Sequence, residues 1–292
     1  MSQIFDALKR SGGMIPALDS GSEPASDLGV AALDQVPSFR PHESEHHRLP
    51  VLSDEPNIGA EKIHMLTTRL CHLQRKKGLK TVLITSSIKD EGKSVLAANM
   101  AISLAGTQQR VLLVDGDCHQ SSLTGLLGTT DLGGLAGWWR TDQPVATYLA
   151  KMKTMPLWFL AAGKPFRHTL EMLQSLRLSA LLSQLATTFD WVIIDSPPLA
   201  PLADASIWSN LADATLLVVR LKRTPTKVLS KVFDSIDKRK LLGVVLNDCK
   251  DRHLSYYAQY HKNISAQKKP KHQPDANRGF RKAAPLPRKF GS

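Results

Sequence analysis

Cysteine is scarce. The three residues Cys71, Cys118 and Cys249 are scattered, odd in number and without a CxxC pair, which excludes a disulfide framework or a cysteine zinc site and points to a reducing compartment. Long apolar runs are missing: no stretch reaches the ~18 residues of a membrane-spanning helix. The opening Met1-Ser2-Gln3-Ile4-Phe5-Asp6 lacks the basic start and apolar segment of a secretory signal. Aromatic residues are only 6% of the 292, so any core must be mostly aliphatic. Charge of one sign is missing at each end. Residues 1–60 hold 4 Lys/Arg against 9 Asp/Glu, and residues 250–292 hold 11 Lys/Arg against 2 Asp, within an overall formal charge of +12.

What is present is enough apolar material, 42%, for a sizeable core. Residues 2–10 predict a short amphipathic helix with Ile4, Phe5 and Leu8 on one face. Residues 11–58, with Gly12-Gly13, several Pro and Ser, and His46-His47, read as a linker without sustained period. The two histidines have no further ligand at metal-site spacing and are read as solvated. From residue 60 the pattern changes. Ile63, Leu66, Leu70 and Leu73 predict a helix over 60–76. Strands are predicted at 81–85, 111–115, 157–161, 191–195, 215–220 and 243–247, with helices at 92–106, 170–188, 203–211 and 225–239. Strands apolar on both faces that alternate with helices predict an α/β fold, a parallel twisted sheet with helices on both faces. The division expected is an N-terminal helix and linker (1–58), an α/β domain (59–250) and a basic tail (251–292).

In such sheets the functional site lies beyond the carboxyl ends of the strands, and the unusual residues fall there. Thr85-Ser-Ser87-Ile-Lys-Asp90-Glu91-Gly92-Lys93-Ser94 follows one strand and opens a helix. Its Gly-Lys-Ser ending is that of a phosphate-binding loop, although Ser87 stands where the common pattern has its first glycine. Ser87, Asp90, Glu91, Gly92, Lys93, Ser94 and Val95 are therefore the candidate nucleotide-binding residues. Lys93 would reach the terminal phosphates and Ser94 would offer its hydroxyl to Mg²⁺. A second strand ends in Asp115-Gly116-Asp117 and a third in Asp195-Ser196-Pro197-Pro198. Asp115 and Asp117, two apart, would face one side and could hold metal or accept a proton. Asp195 suits a Mg²⁺ role. Both strand tips should converge on the Lys93 ammonium.

These residues together resemble the bacterial tyrosine kinases of capsule and exopolysaccharide synthesis, in the MinD/ParA-like branch of P-loop proteins. The resemblance rests on the loop at 85–94, on Val111-Leu-Leu-Val-Asp115-Gly-Asp117 and on Asp190-Trp-Val-Ile-Ile-Asp195-Ser-Pro-Pro198. Further matches are Glu171-Met-Leu-Gln-Ser175, Ala203-Asp204-Ala205, Leu242-Gly-Val-Val-Leu-Asn247 and the cluster Ser255-Tyr256-Tyr257-Ala-Gln-Tyr260, which holds three of the chain's 4 tyrosines. The chain departs from the family where Lys89-Asp90 replace Pro-Gly, where His119-Gln120 replace arginines, and at His64 and Thr67. The resemblance implies an ATP- and Mg²⁺-dependent cytoplasmic kinase at the inner face of the plasma membrane. It would phosphorylate Tyr256, Tyr257 and Tyr260 of a neighbouring copy and be activated by a membrane-embedded polysaccharide co-polymerase. Lys93, Asp115 and Asp117 become the catalytic candidates, and Ser94, Asp115 and Asp195 the metal candidates.

The basic tail suits an anionic membrane surface; nucleic acid is the less expected partner. Two other classes fit the loop: a ParA/MinD-like ATPase that binds DNA or membrane, and a catalytically weak nucleotide-sensing scaffold. The tyrosine cluster and Asp115-Gly-Asp117 favour the kinase.

Overall fold

The computed structural model describes residues 33–249 except 54, 56, 130–131 and 201–203. Residues 2–10 and the tyrosine cluster lie outside the described residues.

The chain enters through β1 (Ser38–Phe39) and two short 3-10 helices (Glu43–Arg48 and Pro50–Leu52). Helix α1 (Ile58–Lys77) starts where the Asn57 side chain accepts the Ala60 N–H at 2.7 Å, and it stops at Gly78, whose φ of 69° suits the left-handed cap. Arg75, Lys76 and Lys77 fill its last turn, where positive charge meets the negative end of the helix dipole. Next come β2 (Thr81–Ser86), α2 (Lys93–Ala105) and β3 (Val111–Asp115). Two short helices, α3 (Leu123–Leu127) and α4 (Gly134–Arg140), lead to β4 (Leu149–Met152) and β5 (Leu157–Leu160). The rest is α5 (Thr169–Gln174), α6 (Leu176–Thr188), β6 (Trp191–Asp195), α7 (Asp204–Leu211), β7 (Ala214–Arg220), α8 (Thr226–Ser235) and β8 (Leu241–Asn247).

The eight strands form one sheet in the order β1-β4-β5-β3-β6-β2-β7-β8. Every pair is parallel except β4–β5, which is antiparallel, so the parallel sheet expected is observed with one antiparallel pair in it. Alternation along the central strands serves two cores. Ile84, Leu113 and Ile193 pack on one face with α1 and α2, while Leu83, Val114 and Ile194 pack on the other with α6 and α7. Burial on both sides is the reason these strands carry no polar face. Each fully buried Leu or Ile contributes about 1.5–3 kcal/mol.

Two local expectations change. The single helix expected over 170–188 is broken at Ser175, whose backbone is extended and whose hydroxyl accepts the Leu178 N–H at 3.1 Å; serine bonds its own backbone and starts a new helix there. Residues 33–52, expected within a linker, pack on the domain. Leu33 and Leu49 are buried, Phe39 lies 6.3 Å from Phe159 between ring centroids, and the Trp158 indole N–H donates to the Leu33 carbonyl at 3.0 Å. A two-residue strand and 3-10 turns leave no period to detect.

Candidate functional site

The strand order puts the tips of β3, β6 and β2 side by side, with Asp115 paired to Asp195 in register. The loop 87–92 leaves β2 and returns at the N-terminus of α2, where free backbone N–H groups favour an anion. Gly92 has a φ of 95°, and a Cβ there would lie 2.3 Å from the Asn247 amide nitrogen, which itself donates to the Glu91 carbonyl at 2.9 Å. Only glycine fits this approach.

Lys93 is the centre of the site. Its ammonium lies 3.2 Å from Asp117 Oδ2, 3.2 Å from Ser94 Oγ and 3.7 Å from Asp195 Oδ1. The two strand tips therefore converge on Lys93 as expected. Burial opposes the charge on Lys93, but Asp195 and Asp117 outweigh it and raise its pKa above the ordinary lysine value.

The two aspartates at the end of β3 differ. Asp115 is fully buried; Oδ1 accepts the Asp117 N–H at 3.1 Å and Oδ2 the Ser121 hydroxyl at 2.5 Å. Burial first, and the Asp195 charge second, raise its pKa above the carboxylate range. Asp117 instead lines the pocket, where Oδ1 accepts the N–H groups of His119 and Gln120 at 3.3 and 3.0 Å. The intervening Gly116 is required by a close approach. A Cβ would sit 2.8 Å from the Trp208 ring and 2.9 Å from the Asp195 carbonyl.

Asp195 ends β6. It is fully buried, and neither carboxylate oxygen has a hydrogen-bond partner among the described residues. Burial raises its pKa, against the pull of the Lys93 ammonium. A buried carboxylate with open lone pairs beside the Ser94 hydroxyl is a set of hard oxygen donors, and it fits Mg²⁺. No cage of three His, Cys, Asp or Glu ligands forms among the described residues. Mg²⁺ held by one or two carboxylates together with phosphate needs none.

The other loop candidates divide. Asp90, Gly92, Lys93, Ser94 and Val95 line the pocket with Lys89, whose ammonium reaches the Gln120 side chain at 3.2 Å. The Asp90 carboxylate is exposed and pairs with Arg223 at 3.2 Å. Ser87 and Glu91 do not line the pocket. The Glu91 carboxylate, fully buried, accepts the N–H groups of Ser87 (2.7 Å), Ile88 (2.9 Å) and Arg220 (3.2 Å) and the Thr224 hydroxyl. It braces the loop to the end of β7.

Sequence reasoning missed three features: this brace, the 2.7 Å pair between His119 and Asp204, and Arg48, which also lines the pocket. A Glu inside a phosphate loop was the one available signal; the others depend on contacts across many residues. His64 and Thr67 both bond the Ser103 hydroxyl, at 2.8 and 2.9 Å, and so turn toward α2.

The comparisons agree with this geometry. Residues 82–271 match the model of the CobQ/CobB/MinD/ParA nucleotide binding domain. The chain is 33% identical over 189 residues to the succinoglycan biosynthesis transport protein ExoP of Rhizobium meliloti, a match that covers 62% of this chain and 24% of ExoP. It is 27% identical over 211 residues to the tyrosine-protein kinase YwqD of Bacillus subtilis, covering 72% of this chain and 89% of YwqD. The chain thus spans most of YwqD and about a quarter of ExoP. Among solved structures, the chimerical protein CapA2B2 shares the fold, with a TM-score of 0.66 at 23% identity over 74% of this chain and 94% of that one. With a loop, two acidic strand tips and a lysine between them all in place, the chain belongs to the CobQ/CobB/MinD/ParA family of nucleotide-binding proteins and, within it, is similar to the bacterial tyrosine kinases.

Proposed function

We propose that this chain is an ATP-dependent protein-tyrosine kinase of exopolysaccharide or capsule synthesis, which phosphorylates tyrosines in the tail of another copy. One observation carries the reading: in a chain similar to tyrosine kinases, the Lys93 ammonium is held between Asp117 and Asp195 at the tips of neighbouring strands.

The chemistry follows from what each group can do. The loop N–H groups and the N-terminus of α2 bind the phosphates of ATP, and Lys93 neutralises charge at the terminal one. Mg²⁺, held by Ser94 and Asp195 with Asp115 behind them, would neutralise further charge on the phosphate oxygens. A tyrosine hydroxyl, with a pKa of about 10, is a weak nucleophile at neutral pH and needs a base within reach. Of the two aspartates at the tip of β3, Asp117 lines the pocket while Asp115 is committed to Ser121 and the Asp117 N–H. Asp117 therefore takes the hydroxyl proton as the tyrosine oxygen bonds to the γ-phosphorus and the bond to the β,γ-bridging oxygen breaks, releasing ADP.

Tyr256, Tyr257 and Tyr260 are the acceptors, presented by the basic tail of residues 251–292. Phosphates there would meet the positive charge of the same tail and alter its contacts. No described helix is long and apolar enough to cross a membrane; a membrane-embedded co-polymerase as activator, with the basic tail against anionic lipid at the cytoplasmic face, completes the reading.

The test is incubation of the full chain with Mg²⁺–ATP, alone and with membranes, followed by mapping of phosphate on the intact protein. Label on Tyr256, Tyr257 or Tyr260, lost in Lys93→Met, is the expected result. Phosphotyrosine that persists in Lys93→Met overturns the mechanism.

A further inference from the structure

Arg48 reaches the phosphate pocket from outside the phosphate loop. It is the last residue of the 3-10 helix Glu43–Arg48 and lines the pocket with Val95 and Ser122. Surface arginines near a pocket are common, and what distinguishes this one is how its backbone is held. Asn99, 1% exposed, lies one turn beyond Val95 on α2. Its side-chain Nδ2 donates to the Val95 carbonyl at 2.8 Å and to the Arg48 carbonyl at 2.9 Å, and its Oδ1 accepts the Val51 N–H at 3.4 Å. The neighbouring Leu49 is fully buried. One amide therefore staples Arg48 to the same helical turn that presents Ser94 and Val95 to the pocket.

The backbone is fixed, but the guanidinium is not committed. Its one ion-pair partner among the described residues is Glu45, at 3.0 Å, and the Arg48 side chain is 43% exposed. Such a pair, three residues apart and in water, contributes little. A phosphate offers the guanidinium fork a stronger, bidentate and more highly charged acceptor.

We propose that Arg48 is a nucleotide-binding residue, whose guanidinium leaves Glu45 to bind the phosphate chain of the nucleotide and adds a cation that does not come from the phosphate loop. This rests on the nucleotide-binding reading of the pocket. It gives the segment 38–52 a role in substrate binding: β1 and the buried Leu49 hold the strap down so that Arg48 is already in place when nucleotide arrives, which lowers the ordering cost of binding.

The experiment is a binding titration on the full chain with a fluorescent ATP analogue, competed by Mg²⁺–ATP, Mg²⁺–ADP and inorganic tripolyphosphate. The variants are Arg48→Met, Arg48→Lys and Glu45→Gln, with Lys93→Met as reference. Because Arg48 is at the surface, its replacement leaves the fold intact, which circular dichroism and thermal melting verify. Arg48→Met is expected to weaken ATP and tripolyphosphate about 10-fold. Arg48→Lys falls between it and the parent, and Glu45→Gln binds as tightly as the parent or more tightly. Unchanged affinity in Arg48→Met, while Lys93→Met loses binding, overturns the role of Arg48 and leaves the pocket reading intact. A loss for ATP without a loss for tripolyphosphate also overturns it, because the contact would then be to base or ribose. Failure of the parent protein to bind any of the competitors overturns the pocket reading itself, and this proposal with it.

Discussion

The two sides of the phosphate loop use buried charge in opposite ways. On the pocket side, Lys93 is held at ion-pair distance by carboxylates at the tips of β3 and β6, and Asp195 has both oxygens without a hydrogen-bond partner among the described residues. On the other side, Glu91 has three backbone N–H donors and the Thr224 hydroxyl. A fully satisfied buried charge rigidifies its surroundings. A buried charge with open valences is costly to the empty protein and is kept for something that binds. The eight residues from Ser87 to Ser94 thus contain both a brace and a receptor, and their difference lies in the partners and not in the residue types.

Substitutions at three positions test that division, beyond the loss of phosphate transfer expected for Lys93→Met. The largest effect is expected from Asp117→Asn. Loss of the proton acceptor should reduce kcat by about 10²–10⁴-fold, while Asn keeps an acceptor for the His119 and Gln120 N–H groups and Asp195 stays beside Lys93, so that stability falls less than in Glu91→Ala. Steady-state kinetics beside thermal melting would show the split; a parallel fall in stability would place Asp117 with the structural groups.

Glu91→Ala should do the reverse. It strands the N–H groups of Ser87, Ile88 and Arg220 in a buried place, at about 3–5 kcal/mol in total. Denaturant unfolding measures it directly, and Glu91→Gln, which keeps one acceptor, should recover part of the loss. A Glu91→Ala protein of parental stability would dissolve the contrast between the two sides.

The smallest effect concerns the pH dependence of the nucleotide-free protein. Asp115 and Asp195 both have raised pKa values in the folded state, so the native protein binds more protons than the unfolded chain above the ordinary carboxylate value of about 4. Stability from these groups is therefore greatest at low pH and falls as pH rises through the raised values. Asp195→Asn removes its share of the fall. Unfolding free energies measured at about pH 5 and about pH 8 should differ less in the variant, by about 1 kcal/mol or more. An equal or steeper slope would mean that Lys93 already satisfies Asp195 in the empty site.

Much of the fold was legible because its signals are local. The runs at 111–115 and 191–195 are apolar on both faces and end in aspartate, and a strand buried between two helical layers can look no other way. The same holds for the loop, since Gly92-Lys93-Ser94 is contiguous and carries its chemistry with it. The antiparallel β4 and the strap at 38–52 were not legible: Lys151 interrupts the apolar run of β4, where the equally short β5 is apolar throughout, and the two residues of β1 are too few to show a period.

Within the site, sequence placed Lys93, Ser94, Asp115, Asp117 and Asp195 in one neighbourhood, since acids at the carboxyl ends of parallel strands have to gather at one edge of the sheet. It left open which aspartate of β3 lines the pocket, and it counted Ser87 and Glu91 with the nucleotide contacts. Tertiary structure separated them: Ser121 occupies Asp115, Arg220 and Thr224 draw Glu91 inward, and Asn99 brings in Arg48 from 51 residues away. Residue type and spacing determine which groups can reach a strand end or a loop. The orientation of a side chain depends on partners distant in the chain, and those partners exist only once the sheet has assembled.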